Sequence, residues 1–168
     1  MDCENNKKKM KEKYFEKLMV LSESERKKIE GQLFEQFGIN EIPGSIVMKG
    51  SERMFFYTGS FGKDEIEAIE TKIFIERIGI YLGKIEESGI RLSIEGTQIL
   101  GSQITKNFFE ISEEQAEQWM KGHELNVKTG LRGFVVIKCK SDFLGTGKSS
   151  EEKIGNFIPK NRRLRERN

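Results

Sequence analysis

Seven basic side chains crowd the end of this chain. Lys148, Lys153, Lys160, Arg162, Arg163, Arg165 and Arg167 all fall within 20 residues. That density suits phosphate: each contact releases a condensed counterion, and the planar arginine fork can grip a phosphate through two N–H groups or stack on a base. Residues 121–168 hold 12 Lys plus Arg against 5 Asp plus Glu, while residues 1–120 hold 17 against 22. The net charge of +2 therefore conceals +7 beside −5. A polyanion is the matching partner for the basic end, and a solvated tail is the plainer reading of the same charges.

Other chemistry is harder to find. Gly145-Thr146-Gly147-Lys148-Ser149 ends like a phosphate-binding loop, but Asp142 stands where the motif needs its first glycine, and Gly155 and Pro159 leave no room for the long helix that must follow. A glycine-rich turn between strands is the better reading. Arg132-Gly133-Phe134-Val135-Val136 starts like an RNA-recognition strand but lacks the later aromatics that stack bases, so it reads as an apolar core strand. Gly59-Ser60-Phe61-Gly62-Lys63 is too short for a dinucleotide fingerprint. Two cysteines, Cys3 and Cys139, and one histidine, His123, argue against zinc, against a structural disulfide and against much acid–base chemistry at neutral pH. Lys138 and Lys140 flank Cys139, yet no catalytic setting surrounds it. Glu86-Glu87 and Glu113-Glu114 read as turn and helix-start charges. No cofactor is expected.

These residues need elements to hold them. Glu4 to Val20 place Met10, Tyr14 and Leu18 at helical spacing and predict one amphipathic helix. Ser22 with Glu25 forms a capping box for a second helix that turns Ile29, Leu33, Phe34 and Phe37 inward and stops at Gly38. Ser45–Lys49 and Arg53–Tyr57 read as strands, Asp64–Lys72 as a helix, and Ile78–Ile85 with Gly89–Ile94 as a hairpin. Thr97–Ile104 fits a short helix. Beyond Lys106, Asn107–Ile111 is a strand, Ser112 caps a helix over Glu113–Lys121 that ends at Gly122, and Leu131–Lys140 and Asp142–Thr146 are strands with glycine corners, which suits a small barrel. The longest apolar stretches run only about four residues, far short of the roughly 20 that a membrane span needs. The lysine-rich start has no apolar core of a signal peptide, so a cytoplasmic protein is expected. The lysine, glutamate and isoleucine load fits a thermophilic or archaeal source.

One segment carries more than these readings explain. Leu144-Gly145-Thr146-Gly147-Lys148 is followed by Asn156-Phe157-Ile158-Pro159-Lys160-Asn161-Arg162-Arg163. It resembles the end of the PUA-like domain of RsmF-type rRNA cytosine methyltransferases, where Leu-Gly-x-Gly-Lys precedes Asn-Tyr-Ile/Phe-Pro-Lys-x-x-Arg; here Phe157 replaces the tyrosine. Leu82-Gly83 to Arg91-Leu92-Ser93-Ile94, Trp119 and Gly130-Leu131 with Val135-Val136 are similar to PUA-containing factors of large-ribosomal-subunit biogenesis. The likeness does not reach the first 40 residues.

The resemblance implies an α+β N-terminal domain over residues 1–104 and a small, mostly-β PUA-like pseudobarrel over residues 105–168. It implies RNA contacts at Gly145, Gly147, Lys148, Lys153, Lys160, Arg162 and Arg163, and more weakly at Gly122 and His123; the basic cluster adds Arg165. Gly122 as a helix stop and His123 as a satisfied loop residue are the bland alternatives. The methyltransferases also carry a cofactor domain and a nucleophilic cysteine, and no such pattern is visible here. The expectation is a non-enzymatic binder of structured rRNA or tRNA acting in ribosome biogenesis or RNA modification, with no DNA and no membrane partner. Two alternatives stay open: a module whose acidic N-terminal domain docks a protein, and an RNA-modifying enzyme with an unrecognised N-terminal site.

Overall fold

The computed structural model describes residues 17–165. They form two sheets. Strands β1 (Leu18–Val20), β2 (Ser45–Lys49), β3 (Arg53–Tyr57), β4 (Ile80–Glu86) and β5 (Gly89–Leu92) make an antiparallel meander in sequence order. Strands β6 (Phe108–Glu110), β7 (Gly133–Cys139), β8 (Asp142–Ser149) and β9 (Ile154–Gly155) make the second, with β6 parallel to β7 and the rest antiparallel. Helices α1 (Glu23–Phe37), α2 (Lys63–Glu70), α3 (Ile94–Leu100) and α4 (Glu113–Met120) pack around them.

Helix α1 starts and stops as its sequence dictates. The Ser22 hydroxyl accepts from Glu25 N–H, and the Glu25 carboxylate accepts from Ser22 N–H at 2.9 Å. The Ser22 hydroxyl also donates to the Glu25 carboxylate at 2.6 Å, and this bond, followed by the one from Ser22 N–H, holds the Glu25 carboxyl below its ordinary range. Gly38 ends the helix at φ 78°, and a Cβ there would sit 2.0 Å from Thr105 Oγ1. Ile29, Leu33 and Phe37 form the buried stripe. Phe34 does not join it. One residue past Leu33 lies about 100° round the helix, so its ring is 44% exposed, with the Lys106 ammonium 4.7 Å from its centre. Gln36 then does for β5 what another strand would: its amide donates to Ile90 C=O and accepts from Ile90 N–H.

Two further expectations need correction. Leu18–Val20 is a strand rather than the end of a helix, because it fills the edge of β2 in register Leu18↔Lys49, with Leu18 buried and Met19 exposed; residues 4–16 of that expected helix lie outside the described residues. The helix expected from Thr97 begins three residues earlier. Ser93 caps it by accepting from Gly96 N–H at 2.9 Å while donating to Tyr81 C=O, which takes Ser93 and Ile94 out of the hairpin strand.

The core explains why the two sheets form one body. Along β2, Ile46 and Met48 face α1 while Val47 faces Leu18, Phe55 and Ile66. Strand β7 alternates in the same way with larger consequence. Phe134 and Val136 complete the core beneath α1, whereas Val135, Ile137 and Cys139 face Trp119, Leu125, Ile154 and Ile158. The unbroken apolar run Phe134–Ile137 is thus a strand buried on both faces. Among the described residues, no helix is long and apolar enough to cross a membrane.

Candidate nucleic-acid interface

The predicted contact residues separate into packing residues and surface residues. Gly145, Thr146 and Gly147 lie within strand β8 and are buried, so the glycine-rich turn expected here is a strand interior. Gly145 donates its N–H to Thr97 Oγ1 at 3.0 Å, and α3 crowds it so closely that a Cβ would lie 3.2 Å from Ile94 Cγ1. At Gly147 a Cβ would lie 2.8 Å from Trp119 Cη2 and 2.4 Å from Ile154 Cγ2. Both glycines admit close packing against β8, and Gly145 also lines the cleft between β5, α3 and the C-terminal segment.

Gly122, Asn156 and Arg163 form a latch. Helix α4 leaves its last carbonyls without intrahelical donors. Trp119 C=O accepts from Gly122 N–H and also from Asn156 at 2.8 Å; Asn156 donates further to His123 C=O at 3.0 Å just past the helix, while its own carbonyl accepts from Ile158 N–H. Leu164 N–H donates to Met120 C=O. Arg163 lies half-buried across Gly122, where a Cβ would meet its Nε at 2.3 Å, and it donates to Ile158 C=O. Arg163 is therefore held as a strut, unlike its exposed neighbours. His123 is exposed and hydrogen-bonded to Gln118. Replacing Asn156 with alanine removes three hydrogen bonds at once, and a loss of ~2–3 kcal/mol is expected. Urea denaturation checks it, and an unchanged midpoint would mean that the latch carries no weight.

The exposed cations remain. Lys160 and Arg162 sit on a single 3₁₀ turn, Lys160–Arg162. Arg162 pairs with Glu95, and Lys153 pairs with Glu124 at 2.6 Å. Such exposed pairs contribute only ~0–1 kcal/mol, so a phosphate can displace the carboxylate. Lys160 and Arg165 make no ion pair with a described residue. Lys148 projects from β8 over the Phe134 ring, 5.6 Å from its centre, and its ammonium lies 3.4 Å from Ser88 Oγ.

The structure brings Lys148 and Arg162 onto a face that also holds residues the sequence did not single out. Phe157 packs edge-on against Phe134, and the Arg91 guanidinium lies 4.7 Å from the Phe157 ring centre. Arg91 is also anchored to Glu86 at 2.9 Å. Tyr81 stands beside them, and burial pushes its phenol above the ordinary range, so it stays neutral at physiological pH. The signal for Arg91 was present in the Arg91-Leu92-Ser93-Ile94 stretch, which carries a resemblance but no obvious site logic.

Residues 106–164 match the family model "Methyltransferase RsmF PUA domain". Over that segment the chain resembles an RsmF-type PUA domain. It is 26% identical over 131 residues to "Ribosomal RNA small subunit methyltransferase F" of Psychromonas ingrahamii, covering 74% of this chain and 26% of that protein. The protein of the same description from Aeromonas hydrophila is 25% identical over 125 residues, covering 74% of this chain and 25% of the relative. The one from Salmonella paratyphi B is 29% identical over 97 residues, covering 57% and 20%. This chain thus spans about a quarter of the length of the curated relatives it matches. A shared stretch of 131 residues exceeds the PUA match, so the likeness continues into the five-stranded sheet. The latch residues Gly122, Asn156 and Arg163 and the packing glycines of β8 all fall inside the RsmF-like PUA match.

Proposed function

We propose that this chain is a non-catalytic RNA-binding protein that recognises structured rRNA or tRNA in RNA modification or ribosome biogenesis. The RsmF-like PUA match carries the reading, and the four-stranded second sheet within it is consistent with a PUA-like domain. The face formed by Lys148, Arg162 and the neighbouring turn supplies phosphate contacts from fixed backbone positions. The absence of catalysis is an inference from this chain's own chemistry. Cys139, the described cysteine, points into the core beside Ile137 and Trp119 instead of into a cleft. Among the described residues, no three His, Cys, Asp or Glu side chains gather as metal ligands.

The test is a titration of the chain with rRNA fragments, tRNA and matched DNA at two salt concentrations. The comparison variant is Lys148→Ala/Lys160→Ala/Arg165→Ala, which spares the strut Arg163. RNA affinity should exceed DNA affinity and fall steeply with salt, and the triple variant should flatten the log–log salt slope by ~2–3. An unchanged slope would displace these cations from the interface. If no nucleic acid binds and a protein partner survives nuclease, the exposed Phe61, Ile73 and Phe74 beside acidic α2 become the functional surface.

A further inference from the structure

Between the end of β5, the start of α3, strand β8 and the C-terminal segment lies a small cleft of about 70 Å³. Its walls include Tyr81, Arg91, Glu95, Thr146, Phe157 and Arg162. Three of these present flat groups: the Phe157 ring, 37% exposed, the Arg91 guanidinium against it, and the Arg162 guanidinium at the mouth. The Thr146 side chain differs in kind. It is 3% exposed, and among the described residues its Oγ1 is the buried side-chain polar atom with no protein hydrogen-bond partner. A buried hydroxyl left without a partner is costly and calls for an explanation. It can donate and accept, so either edge of a heterocycle would satisfy it.

We propose that this cleft receives one unstacked nucleobase of the bound RNA, with Thr146 Oγ1 as the hydrogen-bonding group at its floor. This rests on the RNA-binding reading and specifies how that RNA is held. The cleft is too small for a duplex or a whole nucleotide, but it admits the edge of a single planar ring. Arg91, fixed by Glu86 and Phe157, offers the flat cationic face on which a base stacks. Glu95 adds an acceptor for a base amino group, and Arg162 is placed to take the adjacent phosphate in exchange for Glu95. Recognition of a splayed base, with cations along its backbone, is the form that RNA reading takes where the groove is closed to side chains.

The experiment compares a hairpin carrying unpaired loop bases with a fully paired RNA of the same length at one salt concentration. Wild type and two variants, Thr146→Val and Phe157→Leu, are titrated with both. Wild type should prefer the hairpin by about tenfold or more, since stacking a base on an aromatic or arginine plane is worth that much. Thr146→Val keeps the shape and removes the hydroxyl, so it should bind the hairpin about fivefold more weakly and melt at a higher temperature. Phe157→Leu keeps an apolar contact to Phe134 but loses the flat face, and should weaken the hairpin about tenfold. Both variants should leave duplex affinity unchanged. Equal wild-type affinity for the two RNAs, or a Thr146→Val protein that binds the hairpin normally or melts lower, overturns the cleft while the RNA-binding reading stands. Failure of wild type to bind either RNA overturns both.

Discussion

Replacing Gly147 with alanine should destabilise the protein by ~3 kcal/mol without altering the RNA affinity of molecules that remain folded. The methyl group would lie 2.4 Å from Ile154 Cγ2, 2.8 Å from Trp119 Cη2 and 2.9 Å from Gly155 C=O. Ile154 and Trp119 are each 0% exposed, and the third atom is backbone of the partner strand β9, so none can retreat without moving its neighbours. Close-packed interiors transmit such a shift and do not absorb it. Urea denaturation gives the stability change. Fluorescence titration below the unfolding transition gives the affinity. The opposite pattern, full stability with weakened RNA binding, would make Gly147 an RNA contact and undo its assignment to packing.

Gly147 was expected to touch RNA, and its close packing against Trp119 and Ile154 is visible only in the fold. A glycine-lysine run in a family with RNA-binding members invites the reading that glycines bring backbone to phosphate. Spacing alone does not distinguish a glycine that admits a ligand from one that admits a tryptophan. Trp119 lies 28 residues before Gly147 in the chain, and only the folded α4 places it there. Arg163 is similar: its charge is visible in the sequence, and its seat across Gly122 is not. Thr146 was passed over as the variable position of its Leu-Gly-x-Gly-Lys run, and Arg91 because its stretch carried a resemblance without site logic. Their meaning comes from being brought to one cleft by β8, β5 and the final segment.

Local signals were more legible. The capping boxes at Ser22 and Ser112, the stop at Gly38 and strands β2 and β3 are all present as read, because each is fixed by residues a few positions apart. The apolar run at Phe134 was rightly read as core, but that it faces two cores depends on β6 and β8 flanking it. Phe34 and Leu18 failed for a shared reason. Helical spacing catches any apolar residue within reach of the stripe, and the decision between core, surface and strand is made by partners elsewhere in the chain.

Trp119→Ala should have the largest effect of any single change here, ~3–5 kcal/mol, a large share of the ~5–15 kcal/mol that holds a typical domain folded. The ring is wholly buried among Val135, Ile137, Ile154 and Ile158, so its removal opens a cavity that four elements border. The indole N–H also donates to Leu144 C=O at 2.9 Å, and alanine leaves that acceptor without its donor. Trp119→Phe separates the two losses: it retains most of the ring and should cost ~1–2 kcal/mol. Denaturation with and without saturating RNA then asks whether core and interface are distinct. A ligand that binds only the folded state stabilises it by an amount set by its affinity and concentration. If the interface is the Lys148–Arg162 face, RNA should raise the midpoint of Trp119→Phe as much as that of wild type, because the substituted ring lies beneath β8 and Lys148 projects from its outer side. A smaller rise would show that the tryptophan sets the position of β8 closely enough for RNA to sense it.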